Sequence, residues 1–133
     1  MKLETRSTKL ETNSKYETRK TKRFDLEDRA LQFAKDIRVF VRSLDRSIAT
    51  QEDVKQLVRS SGSVGANYLE ANESLSKKDF QMRLKIAKKE ARETIWWLEL
   101  LQVPPAVMRQ HSQLLQEATE LMNILGAITR NTA

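Results

Sequence analysis

The 133-residue chain has no cysteine, so neither a disulfide framework nor a thiolate metal site can form; this fits a reducing cytoplasm. Only three glycines and two prolines occur, and the prolines are adjacent, at Pro104 and Pro105. That is too little punctuation for a many-stranded sheet, whose turns consume both residue types. Runs of about 18 apolar residues are absent, and the amino terminus lacks the apolar centre of a signal peptide. A cytoplasmic protein with no membrane partner is the expectation.

The single histidine, His111, excludes most bundle enzymes. Di-iron bundles take a Glu-x-x-His motif from each of two helices, and Met108 stands where even one such motif would need its glutamate. A helical ribonuclease motif, Arg-x4-His, fails because Ala106 occupies the arginine position. His111 therefore reads as a plain helix residue, and no enzyme is expected. Glu70, Glu90 and Glu93 leave a carboxylate-only metal site conceivable, but salt bridges to Arg59 or Lys89 account for these acids more simply. No metal and no cofactor is expected.

What the chain does have is helix formers: Ala, Leu, Glu, Lys, Arg and Gln dominate. Its length suits one domain, able to bury roughly two-thirds of its unfolded surface. The net charge of +6 invites a nucleic-acid reading, and its distribution refines it. Residues 1–23 hold 8 Lys and Arg against 3 Glu, a net +5, whereas residues 24–133 hold 16 against 15, a net +1. These first residues also repeat KLET, KLET and KYET with almost no apolar content, which predicts a flexible basic tail that cannot offset the entropy of ordering it. Such a tail is either an arm that tracks phosphates or an extension with no role of its own. The chain thus divides into a flexible basic tail, 1–23, and one folded domain, 24–133.

Four apolar stripes then appear. Asp25 and Asp28 resemble a helix start, and Leu26, Ala30, Phe33, Ile37, Phe40, Val41, Leu44 and Ile48 follow at spacings of three and four. Lys35, Arg38, Arg42 and Arg46 form the solvated side. Thr50 with Asp53 suits a capping box for a second helix, whose stripe is Val54, Leu57, Val58, Ser61, Val64, Gly65 and Tyr68. Glycine inside a helix costs roughly 1 kcal/mol, so the run from Ser60 to Ala66 predicts close packing against a neighbour. Ser76 with Asp79 caps a third helix, lined by Phe80, Leu84, Ala87, Ala91, Ile95 and Leu98. Pro104 and Pro105 end it and open a fourth, lined by Val107, Leu114, Ala118, Leu121, Leu125 and Ile128. Short connections and no strand signal predict an all-α, antiparallel up-down-up-down four-helix bundle.

Two features of the third helix point to partners. Lys78, Lys85, Lys88, Lys89 and Arg92 gather within roughly 100° of arc, either as a phosphate-binding flank or as ordinary solvated lysines. Met82, Ile86, Trp97 and Leu100 form a second strip, with Glu90 and Glu93 among them. One bundle is not expected to bury this strip as well as the main stripe, which predicts a partner surface. No aromatic is read among the lysines, so recognition of backbone and shape is the expectation.

RSSGSVGANYLEA (59–71), SKKDF (76–80) and KEARETIWWLELL (89–101) together resemble the bacterial four-helix bundle family whose founders are encoded in intervening sequences of 23S ribosomal RNA genes. Arg59, Ser63, Ala66, Asn67, Tyr68, Glu70, Phe80, Glu90, Glu93, Thr94, Trp97 and Leu98 match its pattern, and the similarity runs from about Phe24 to Arg130. Gly65 and Ala71 stand where another branch of the family has Pro and Gly, and the tail before Phe24 lies outside the pattern. The resemblance implies a homo-oligomer, with a pentameric barrel as the expected form, and supplies no catalytic residues. A remoter fold-level likeness, to the accessory variability determinant of diversity-generating retroelements, suggests RNA and a reverse transcriptase as partners.

The leading expectation is a non-catalytic oligomer that binds nucleic acid, RNA before DNA, through Lys78, Lys85, Lys88, Lys89 and Arg92. Arg59, Ser63, Asn67, Glu70, Met82, Ile86, Glu90, Glu93, Trp97 and Leu100 are the expected subunit interface. The alternative is a protein-interaction scaffold or accessory subunit that uses the strip for a different protein.

Overall fold

The computed structural model describes residues 15–133, with side chains from Asp25 onward. Its helices are α1 (Lys15–Val41), α2 (Ile48–Asn72), α3 (Lys77–Leu100) and α4 (Met108–Asn131), with one 3-10 turn, Pro105–Val107, before α4. Each helix packs on its chain neighbours and α4 returns to α1, the arrangement of an antiparallel four-helix bundle with short connections. The α2–α3 pairing is the most extensive and the α1–α4 pairing the slightest.

The predicted stripes supply the core. Leu26, Ala30, Phe33, Ile37 and Phe40 of α1 meet Leu57, Val64 and Tyr68 of α2, Leu84, Ala87, Ala91 and Leu98 of α3, and Leu114, Ala118, Leu121 and Leu125 of α4, all buried. The tight-packing expectation for α2 holds at Gly65, where a Cβ would come 3.2 Å from the Ala30 Cβ. A larger residue there would push α1 away.

The helix starts differ in two places. α1 is already helical at Lys15, ten residues before the start expected at Asp25. Helix propagation gains a hydrogen bond for each residue fixed once a nucleus exists, and the Leu26–Phe40 stripe, held by the core, is that nucleus. Of the tail expected over 1–23, positions 1–14 lie outside the described residues. At its other end α1 stops at Val41, tightened by bonds from Arg42, Ser43 and Leu44 N–H to the carbonyls three residues back. Ile48, expected in the first stripe, instead opens α2 and is 85% exposed. The α2 cap is Ser47, not Thr50: the Ser47 hydroxyl accepts from the Thr50 N–H. α3 starts as expected, with Ser76 Oγ accepting from the Asp79 N–H.

The α1–α4 seam is clipped by Arg29, whose guanidinium donates to Glu117 at 2.6 Å and to Glu120 at 3.1 Å. Beside it a cleft of about 600 Å³ opens, lined in part by Gln32, Val39, Gln110 and Leu114.

Candidate nucleic-acid interface

α3 lies between α2 and α4, so it keeps one long side outward. Lys78, Lys85, Lys88, Lys89 and Arg92 are all exposed on it. Among the described residues, the acids that form ion pairs engage Arg29, Lys55 and Arg59 and none of these five. Uncommitted cations of this kind retain their attraction for a polyanion.

Two residues missed by the sequence reading join them. Lys88 crosses onto α4 at Gly126, where a Cβ would stand 3.5 Å from the Lys88 ammonium and 3.3 Å from Arg130 Nη1. The two cations therefore approach one another within roughly 7 Å over that glycine. Periodicity along α3 could not show this, because Arg130 belongs to another helix. The second is Trp96, 58% exposed. Lys85, Lys89, Arg92 and Trp96 follow one another at steps of four, three and four, one ridge of the helix. Trp96 does not interleave the lysines but stands one turn beyond Arg92 on their ridge; its signal was the seven-residue step from Lys89 to Trp96, masked by the adjacent Trp97.

The expected subunit interface maps to the α2–α3 seam, much of which is paired within the chain. Arg59 donates to Glu90 at 3.2 Å and to Glu93 at 3.1 Å, so these charges meet without a neighbouring subunit. Asn67 Nδ2 donates to the Ser63 carbonyl at 2.9 Å, and Arg83 reaches the Asn67 Oδ1 at 3.5 Å. Under this polar seam the Thr94 hydroxyl is 2.8 Å from both Ser60 Oγ and the Glu90 carbonyl; Ser60 and Thr94 are fully buried. Trp97 packs against the core of its own bundle, and its buried indole N–H has no acceptor among the described residues. The bundle therefore takes in part of the strip that was expected to exceed it. Ile86 is half-buried, Met82 (50% exposed) and Leu100 (46%) remain outward, and Glu70 is exposed.

Residues 22–127 match the family described as 23S rRNA-intervening sequence protein. The chain belongs to that family. A 34% identical crystal structure, of a protein of unknown function from the S23 ribosomal protein family of Bacteroides thetaiotaomicron, superposes with a TM-score of 0.69, over 82% of this chain and 98% of that one. No curated protein matches. The bundle is thus the family's fold, and Arg59, Glu90, Glu93 and Thr94, which carried the sequence likeness, hold α2 to α3 in it. Among the described residues no three His, Asp or Glu side chains are grouped to hold a metal ion, and no helix is long and apolar enough to cross a membrane.

Proposed function

We propose that this chain is a non-catalytic, homo-oligomeric bundle that binds nucleic acid, RNA in the first instance, through the outward flank of α3. The observation that carries the reading is the set of five exposed cations, Lys78, Lys85, Lys88, Lys89 and Arg92, with no acid among the described residues engaging them. Phosphate binding through such a row is weak for one subunit. A closed ring of five copies, the form the family resemblance implies, multiplies it through effective concentration.

Met82 and Leu100 are the large apolar residues of the proposed subunit contact that stay outward, and they flank the same seam. They also favour the second reading, a scaffold for a foreign protein such as a reverse transcriptase.

Electrophoretic shift of RNA and DNA at several salt concentrations, beside light scattering on the same protein, tests the proposal. Retardation at low salt that fades as salt rises, from a species of several subunits, is expected. Absence of any shift at low salt overturns nucleic-acid binding. A monomer overturns assembly.

A further inference from the structure

Trp96 is the largest exposed side chain of α3 and belongs to neither the core nor the polar seam with α2. Its ridge carries Lys85, Lys89 and Arg92 in sequence, and the distance from Lys85 to Trp96 along the helix is roughly 16 Å at 1.5 Å per residue. Lys88 and Arg130 extend the same positive surface across Gly126 onto α4. An exposed indole preceded on its ridge by three cations and followed by the exposed Glu99 is poorly matched to a duplex, in which the bases are already stacked on one another. It matches a strand whose bases are free, because every base offers a π-face and stacking needs no particular sequence.

We propose that Trp96 is a stacking platform for an unpaired base and that the α3 flank takes single-stranded nucleic acid, its phosphates held by Lys85, Lys89 and Arg92 and by the Lys88–Arg130 pair. The inference rests on the nucleic-acid reading above and narrows its ligand. A base laid on the indole places the adjoining phosphates toward Arg92 and Lys89, one and two turns back along the helix. The cations then supply affinity in a salt-dependent way, and Trp96 supplies the preference for strand over duplex.

The test is fluorescence anisotropy with the full chain and a labelled 20-nucleotide uridine strand, the same strand annealed to its complement, and the matching DNA strand and duplex. Wild type, Trp96→Ala, Trp96→Phe and Lys89→Glu are compared, with circular dichroism and light scattering on each. Wild type is expected to favour single strands. Trp96→Ala should weaken single-strand binding about tenfold or more and leave duplex binding unchanged, Trp96→Phe should retain most of it, and Lys89→Glu should weaken strand and duplex alike. The ratio of RNA to DNA affinity names the preferred sugar, and a strand preference on either supports the proposal. Equal affinity of wild type for strand and duplex overturns it, as does an equal loss on both in Trp96→Ala. A fall in assembly mass in Trp96→Ala also overturns it and makes Trp96 a subunit contact. If wild type binds none of the probes at low salt, the nucleic-acid reading itself falls.

Discussion

His111, which the sequence reads as a plain helix residue, joins three helices. Its Nε2 lies 2.7 Å from the Leu98 carbonyl, and since a carbonyl only accepts, this nitrogen carries the proton. Leu98 belongs to the last turn of α3, whose carbonyls have no partner within the helix, and the imidazole fills that place while lying 6.0 Å from the Phe40 ring of α1, stacked at 30°. His111→Ala should cost about 1–2 kcal/mol in urea unfolding, and an unchanged midpoint would show that water serves Leu98 equally well. Asp45 gives a pH-dependent counterpart. The Ser47 backbone N–H first, then the Ser47 and Thr50 hydroxyls, hold its carboxyl below the ordinary aspartate value. The unfolded chain thus binds more protons at acid pH, so the stabilisation is complete above the unfolded aspartate pKa and is lost as pH falls through the lower, folded one. A carboxyl NMR titration of Asp45 should show a depressed midpoint, and a midpoint at or above the unfolded-chain value contradicts this cap geometry.

At the scale of elements, α2 is the helix that had to be thin. Gly65 allows the Ala30 approach, and Ser60 and Ser61 are completely buried where α2 faces its neighbours. Gly65→Val should destabilise by about 1–3 kcal/mol through overpacking, measurable by the same unfolding; a stabilised variant would mean that α1 can retreat freely. The Arg59 link to α3 is weaker than its geometry suggests, because Arg59 is 49% exposed. A double-mutant cycle of Arg59→Ala with Glu90→Ala should give a coupling below about 1 kcal/mol that falls as salt rises. The four stripes were legible because each is apolar at helical spacing over several turns. The start of α1 was not, since residues 15–23 have helix-forming composition without an apolar stripe and their helicity is inherited from the segment that follows. Ser47 was passed over for Thr50 because Thr50 has an acid, Asp53, three residues on and Ser47 does not, and only the backbone shows which residue is first. Trp97 was assigned to a subunit contact because angular position on α3 alone does not reveal how far α2 reaches over it.

At the scale of the whole molecule, the bundle commits Glu90 and Glu93 of α3 to α2 and leaves its α3 cations, with Glu99, outward. Arg59 draws Glu90 and Glu93 to one side, while Lys85, Lys88, Lys89 and Arg92 line the other. This segregation, not the net charge, is the ground for proposing nucleic-acid binding, and much of the net charge lies in residues 1–23. Trp97→Glu would be a poor assembly probe, because that side chain packs on its own core. Met82→Glu with Leu100→Glu is the better pair, both residues being outward, and it should lower the assembly mass while leaving the helical circular dichroism intact. An unchanged mass would place the subunit contact elsewhere.

The most direct measurement is the salt dependence of RNA affinity for the wild-type chain and for Lys85→Gln/Lys88→Gln/Lys89→Gln/Arg92→Gln. Each phosphate contact on a single strand adds about 0.7 to the slope of log affinity against log salt. The variant should therefore bind more weakly at low salt and with a markedly shallower slope, at unchanged helical content. A variant whose affinity and slope both equal those of wild type would contradict the assignment of the α3 flank as the nucleic-acid interface.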